Sequence, residues 1–181
     1  MQTNPENPSL RLFFALWPQP AEQQALAGWQ PALHQLCGGS PMQESTLHCT
    51  LVFLGATAAE RLEALLLAAQ EVEWQGFEIC LDEARYWGHN HIAYAAPRRV
   101  PRQLETLVAA LEQRLRRHRF AFEARAYKPH VTLLRHVHWR DVPLPQMPPL
   151  HWRVQEFALV QSLGDEHGAR YEVLARFPAS T

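Results

Sequence analysis

The sequence predicts an α+β fold built from two similar lobes, which are related by a pseudo-twofold axis and share a cleft. The tetrapeptide pattern His-x-Thr-Leu occurs twice, at residues 48–51 and 130–133. Each copy follows a strand, a break marked by proline and a helix: 30 residues separate Pro18 from His48, and 33 separate Pro97 from His130. Because the order of elements repeats together with the motif, we infer a duplication in which each lobe brings one motif to the cleft.

In the first half of the chain, apolar runs bounded by Gly or Pro predict strands, and helical spacing of apolar residues predicts helices. The predicted elements are a strand over 10–17, a helix over 21–37, the first motif strand over 47–54 and a helix over 58–72. Gly55 is expected to end the motif strand. Thr57 is the predicted N-cap of the second helix, with Glu60 as its capping-box partner.

The second half repeats this order and adds strands at its end. The predicted elements are a strand over 77–87, a turn at 88–90, a return strand over 91–96, a helix over 101–119, a strand over 120–126, the second motif strand over 131–134, and strands over 152–162 and 170–177. Residues 1–9 are predicted to be a flexible N-terminus, and residues 10–181 a single bilobal domain.

Composition is that of an ordinary globular protein, with 47% hydrophobic and 19% charged residues and a formal net charge of −1. Three cysteines, Cys37, Cys49 and Cys80, are an odd number without a Cys-x-x-Cys pair, which argues against a disulfide framework and a zinc knuckle. No apolar run approaches the roughly 18 residues of a membrane span, and the first nine residues lack a signal-peptide core. These features predict a cytoplasmic protein, which we expect to be monomeric.

Each motif supplies an imidazole and a hydroxyl on one face of a strand. Side chains alternate along a strand, so His48 shares a face with Thr50, and His130 shares one with Thr132. Histidine has an ordinary pKa near 6.5, so two opposed histidines can act as general acid and general base. The threonines and Arg135 could donate hydrogen bonds to the charged oxygens of a phosphate. The set predicts phosphodiester cleavage without a metal or another cofactor.

Each of these features also has an explanation that involves no function. A single His-x-Thr is usually a partly buried histidine in a strand, but two copies in repeated contexts favour a functional site. The pairs His89/His91 and His136/His138 have a spacing that could hold a metal from a strand, and convergence of the second pair with His130 would indicate a metal-dependent hydrolase. We expect surface histidines instead. The arginines of residues 98–119 could bind an RNA backbone; we favour a solvated helix face, with arginines near the cleft mouth helping to hold RNA.

The motif segments resemble those of a known family. Residues 47–55 and 128–135 are similar to the paired signatures of the two-histidine (2H) phosphoesterases, and residues 11–15 resemble the opening strand of bacterial and archaeal RNA 2′,3′-cyclic phosphodiesterases, historically called 2′-5′ RNA ligases. The resemblance extends from residue 10 to residue 177. It implies two antiparallel sheets flanked by helices around a central cleft, and hydrolysis of a 2′,3′-cyclic phosphate to a 2′-phosphate.

The resemblance also implies residue roles. His48 would be the proton donor to the leaving 3′-oxygen and His130 the proton acceptor that activates water, although the pseudo-symmetry leaves the reverse assignment open. Thr50, Thr132 and Arg135 would contact phosphate. Cys49 departs from the family pattern, where a larger aliphatic residue is common, and we expect its side chain to point away from the histidines.

The expected partner is an RNA or nucleotide that ends in a 2′,3′-cyclic phosphate. Tyr171 is a candidate for stacking on a base, because its strand follows a Gly-containing loop that could border the cleft. Four other aromatic residues could also stack on a base, although most such residues serve in core or rim packing: Trp87, Tyr127, Trp139 and Trp152. Two alternatives remain open: an enzyme for 2′-5′ RNA ligation or for another small cyclic phosphate, and an RNA- or nucleotide-binding module. A pure binder has no need of a matched acid and base, which disfavours the module.

Overall fold

The structure is a computed structural model that describes residues 8–138, 140–164 and 168–181. This part of the chain contains ten strands and four α-helices, with 3-10 turns at Glu44–Thr46 and Ala59–Arg61. The elements in chain order are β1 Ser9–Leu16, α1 Pro20–Ala27, α2 Gln30–Cys37, β2 Ser40–Pro41, β3 Cys49–Ala58, α3 Leu62–Gln70, β4 Phe77–Leu81, β5 Glu83–Trp87, β6 Ile92–Ala96, α4 Arg102–Arg117, β7 Val131–Arg135, β8 Leu150–Val154, β9 Glu156–Ser162 and β10 Tyr171–Pro178. None of the helices in these ranges is long and apolar enough to cross a membrane.

The main sheet consists of two antiparallel halves. Its strand order is β10-β9-β1-β3-β7-β6-β5, with β2 paired to β7, while β4 and β8 form a separate two-stranded sheet. The central strands β3 and β7 carry the two motifs, and they pair only at Cys49 and Val131. These two residues hold the same place in their motifs, one position after the histidine. The antiparallel α+β fold and the symmetric placement of the motifs predicted from the sequence are therefore confirmed.

A single large apolar core lies under both halves of the sheet. Cys49 and Val131 are both fully buried in it. The helix α4 packs a stripe of leucines and a valine onto the same core, namely Leu104, Leu107, Val108, Leu111 and Leu115. Because side chains alternate along a strand, burial of Cys49 and Val131 turns the neighbouring histidines to the opposite face of the sheet. The core thereby fixes the direction in which both motifs point.

The prediction of one continuous helix over 21–37 was wrong, because this range is interrupted. It consists of α1 and α2, which are separated at Gly28 and Trp29. Pro31 occupies the first turn of α2. Proline has no N–H to continue a helical ladder but is well tolerated in a first turn, so it starts the second helix rather than extending the first.

The predicted cap at Thr57 and Glu60 was also wrong. The strand β3 continues through Gly55 to Ala58, and the Thr57 hydroxyl donates to the Gly55 carbonyl at 3.4 Å. Gly55 has a φ of 73°, and the pairing with β1 shifts register beside it. Glycine adopts this backbone without strain, so the residue that was expected to end the strand makes a bulge in it.

The segment 120–126 does not form a continuous series of backbone hydrogen bonds with a neighbouring strand. The strand predicted there is therefore absent. The segment runs beside β3 with one backbone hydrogen bond, from the Glu123 N–H to the Phe53 carbonyl at 2.9 Å. In the other lobe the corresponding place beside β7 is taken by β2. Two longer predicted strands are each divided between the two sheets, 77–87 into β4 and β5 and 152–162 into β8 and β9.

We expect Gly39→Ala to destabilise the protein by at least about 2 kcal/mol. Gly39 has a φ of 82°, and a Cβ there would lie 2.5 Å from the Arg135 carbonyl oxygen and 2.8 Å from Cγ1 of Val137. Denaturant unfolding measures the effect. Gly88→Ala is the matched control, because a Cβ at Gly88 would meet only the Tyr86 ring at 3.6 Å. Equal stability of the two variants would contradict the expectation.

Candidate active site

The two motifs meet in one cleft on the outer face of the central strands. The antiparallel pairing at Cys49 and Val131 places His48 and Thr50 on the same face of the sheet as His130 and Thr132. The cleft has a volume of about 260 Å³. Its lining residues are Arg11, Phe13, Met42, Thr46, His48, Thr50, Phe53, His130, Thr132, Arg135, Ser162 and Tyr171. All six residues that the sequence predicted for the site thus line one cavity.

Each histidine is held by a backbone carbonyl two residues before it. Nδ1 of His48 lies 2.7 Å from the Thr46 carbonyl oxygen, and Nδ1 of His130 lies 2.8 Å from that of Lys128. A carbonyl oxygen only accepts hydrogen bonds, so both Nδ1 atoms must carry the proton. In the neutral rings Nε2 then has the free lone pair. Nε2 is therefore the atom at which each imidazole can take or give a proton.

Both imidazoles have lowered pKa values in the free protein. Burial lowers the pKa of His48 to about 4, and the nearby His130 and Arg135 add to this, while the bond to the Thr46 carbonyl opposes it. Burial also lowers the pKa of His130, with a contribution from Arg125 and opposition from the Lys128 carbonyl. Burial removes water from the charged form, and neighbouring cations repel it. The lowered pKa values favour the neutral form of both rings in the free protein.

The cleft is suited to an anion. Arg11 and Arg135 are exposed residues of its lining, and the lining residues within the described part of the chain include no carboxylate. The Arg11 guanidinium stacks over Phe53 at 4.9 Å from the ring centroid, and Nε of Arg135 donates to Sδ of Met42 at 3.3 Å. These contacts hold the arginine stems in place. The hydroxyls of Thr50 and Thr132 add donors on the floor of the cleft.

Aromatic rings enclose His48 on the first lobe. Trp17 stacks parallel to its imidazole, with centroids 5.2 Å apart, and Phe13 lies at 5.0 Å. Tyr171 meets it edge-on at 5.1 Å, which places this predicted residue in the cleft. Sequence analysis missed Phe13, Trp17 and Arg11. The available signal was the alternation along β1, continued to Trp17 just after its end, since these odd-numbered residues share one face of the strand.

Two further aromatic rings pack against His130. Trp87 meets its imidazole edge-on at 5.5 Å, and Tyr94 does so at 5.4 Å. Trp87 was named among the aromatic residues that could stack on a base, most of which were expected to be packing residues, and Tyr94 was not singled out. Tyr94 is paired with Thr132 across β6 and β7, so the neighbouring strand brings it to the site. Its position depends on a pairing between distant segments, which the sequence alone does not reveal.

A comparison with known families agrees with this geometry. The family model of the 2′-5′ RNA ligase superfamily matches residues 17–166. The chain belongs to this superfamily of 2H phosphoesterases. The RNA 2′,3′-cyclic phosphodiesterase of Escherichia coli (strain K12) is 34% identical to it over 170 residues, which are 92% of this chain and 95% of the relative. The protein of the same name from Thermus thermophilus is 31% identical over 185 residues, 93% of this chain and 89% of the relative.

Solved structures of the superfamily share the fold. The crystal structure of E. coli LigT complexed with 3′-AMP matches with a TM-score of 0.86 at 29% identity, covering 96% of this chain and all of that one. The Thermus thermophilus protein TT0787 matches with a TM-score of 0.76 at 27% identity, covering 93% of this chain and 97% of that one. The family membership indicated by the motif segments is thus confirmed. The similarity extends along almost the whole chain.

Two further residues singled out in this superfamily member, Cys49 and Trp152, lie away from the chemistry. Cys49 is buried with Sγ 3.6 Å from the Tyr127 hydroxyl, so its side chain points away from the histidines, as expected. Trp152 is buried in the core, and Trp139 lies outside the described residues. Within the described ranges, no group of three or more His, Cys, Asp and Glu side chains is placed to hold a metal.

The arginines of α4 lie on a solvated face. Arg114 pairs with Glu71 at 3.3 Å, and Arg116 pairs with Glu112 at 3.4 Å. Such exposed pairs contribute little to stability and leave the helix face in water. The expectation of a solvated face is met by these pairs.

Proposed function

We propose that the protein hydrolyses the 2′,3′-cyclic phosphate end of an RNA or nucleotide to a 2′-phosphate, with His48 and His130 as the proton-transfer groups and without a metal. The observation that carries this proposal is the pair of imidazoles, each anchored through Nδ1 and each lining one cleft with two arginines and, among the described lining residues, no carboxylate. The relatives named RNA 2′,3′-cyclic phosphodiesterase support the choice of substrate.

In the proposed reaction, water attacks phosphorus on the side opposite the 3′-oxygen. Nε2 of His130 takes the proton from the water as the new P–O bond forms. The bond from phosphorus to the 3′-oxygen breaks, and Nε2–H of His48 gives its proton to that oxygen, while the 2′-oxygen stays attached. Thr50, Thr132 and Arg135 stabilise the charge on the non-bridging oxygens. His48 must be protonated for this step, and the negative charge of the bound phosphate raises its pKa.

Product analysis tests the proposal. We expect adenosine 2′,3′-cyclic phosphate to be converted to adenosine 2′-phosphate alone, at a rate unchanged by EDTA, because the step uses only side chains of this chain. Chromatography that separates the 2′- and 3′-phosphates measures the outcome. Formation of the 3′-phosphate would contradict the assignment of the leaving oxygen, and loss of activity with EDTA would contradict the metal-free mechanism.

A further inference from the structure

A second cavity of about 250 Å³ opens beside His130. We call it the side pocket, and its wall includes Phe53, Trp87, Asn90, Arg125, Lys128 and His130. Three of its lining residues, Thr50, Phe53 and His130, also line the catalytic cleft. The two cavities are therefore adjacent, and a substrate in the cleft can extend into the side pocket.

The side pocket exists because β3 and β7 separate after one residue pair. Beyond Cys49 the edge of β3 faces the segment 123–128 instead of a strand. That segment approaches β3 through the Glu123 N–H and through the Tyr127 hydroxyl, which donates to the Thr50 carbonyl at 3.1 Å. The space between these two contacts and β5 is left open to the cleft.

The lining of the side pocket suits a flat, uncharged ring better than a second phosphate. Its acidic groups are paired, Glu123 with Arg125 and Glu112 with Arg116. The described lining holds two carboxylates, Glu112 and Glu123, and two cations, Arg125 and Lys128, so its formal charges cancel and leave little net field for an anion. Leu51, Val52 and the rings of Phe53 and Trp87 supply apolar surface. Pockets with apolar walls and a few polar groups at the rim are the usual sites for heterocyclic ligands.

Trp87 is the side chain in this pocket best placed to stack on a base. It is half-buried, and it meets His130 at an interplanar angle of 84°, so its ring lies next to the group that acts on phosphate. Lys128 Nζ lies over the ring at 5.8 Å, a loose contact of an exposed side chain that a base can displace. The exposed amide of Asn90 offers both a donor and an acceptor to the edge of a base.

Comparison of the two lobes shows that the fold does not require an aromatic ring here. The corresponding place beside β7 is covered by β2, and the cavity there is lined by Ser40, Pro41, Met42, Gln43, Arg135 and His136 among others. None of its lining residues in the described part of the chain is a phenylalanine, tyrosine or tryptophan. The duplicated positions have thus acquired different chemistry, and the aromatic lining belongs to the His130 side.

We propose that the side pocket is a nucleobase subsite of the catalytic cleft, in which Trp87 stacks on a base of the bound nucleotide or RNA. This inference rests on the proposed function only in taking a nucleotide as the ligand. It extends that function by making part of the binding free energy depend on the base. A stacked base is worth about 1–3 kcal/mol, so its loss is large enough to measure in binding.

Binding measurements keep the test independent of turnover. We expect Trp87→Ala to weaken the binding of adenosine 2′-phosphate by at least about 5-fold, the lower end of the stacking range, and to change the affinity for inorganic phosphate less than about 2-fold. Trp87→Phe, which keeps a ring, should retain most of the nucleotide affinity. Titration calorimetry on the full chain, with thermal unfolding to check each variant, measures both ligands.

The contrast between the two ligands decides the outcome. Equal loss of affinity for phosphate and nucleotide would mean that Trp87 acts by positioning His130, and it would overturn the base subsite. Unchanged nucleotide affinity in Trp87→Ala would overturn it as well. Failure of the wild type to hydrolyse cyclic nucleotides would instead contradict the proposed function and leave this binding contrast measurable.

Discussion

His48→Ala and His130→Ala are each expected to lower the rate of 2′,3′-cyclic nucleotide hydrolysis by about 100- to 10,000-fold, the range that a single general acid or base contributes. Each variant removes the atom that transfers the proton on its side of the phosphate in the proposed mechanism. Both side chains are partly exposed, so we expect the fold to persist. Steady-state kinetics measure the loss, and circular dichroism checks the fold.

A matched control is His34→Ala, which removes an exposed histidine on α2 that does not line the cleft. Its activity should equal that of the wild type. Retention of activity within about 10-fold by either cleft variant would rule out a mechanism that needs both histidines.

The pH dependence of hydrolysis should differ between kcat/KM and kcat. In the free protein both histidines have pKa values below their ordinary 6.5 or so, with His48 at about 4. The working form carries one proton on the pair, so kcat/KM should reach its maximum on the acidic side of 6.5 and fall as the pH rises through the higher of the two pKa values. Bound phosphate attracts protons and raises both pKa values, so the falling limb of kcat should lie at higher pH.

Rate profiles between about pH 4 and pH 9 at constant ionic strength measure both limbs. If kcat/KM instead fell at a higher pH than kcat, the expected rise of both pKa values on binding of the anion would be contradicted. Loss of the falling limb in His48→Ala would identify His48 as the proton donor. Its loss in His130→Ala instead would favour the reverse assignment.

The fold class and the main site residues could be predicted because they depend on local patterns. Alternation places a threonine beside each histidine, and the repeated order of elements brings the two motifs together. Proline and glycine were less informative. Gly55 makes a bulge where an end was expected, because whether glycine ends a strand depends on the partner that it pairs with.

The rest of the site depends on contacts between distant parts of the chain. Tyr94 reaches His130 through the pairing of β6 with β7, and Trp17 reaches His48 from the end of β1. The segment 120–126 has strand-like composition, yet it makes one backbone bond to β3 where the other lobe makes a ladder. The composition of a segment indicates how strongly it prefers the strand conformation. A series of backbone hydrogen bonds also needs the edge of a neighbouring strand in register.

The carbonyl that anchors each histidine comes from the same short segment as the histidine itself. Five consecutive residues, from the one that supplies the carbonyl to the threonine, therefore determine which nitrogen of each ring carries the proton. The spacing between the rings is set separately, by one residue pair between the halves of the sheet. A relative shift of the halves would thus change the reach between acid and base without changing either tautomer. The reach between acid and base and the choice of the protonated ring nitrogen therefore depend on different parts of the fold.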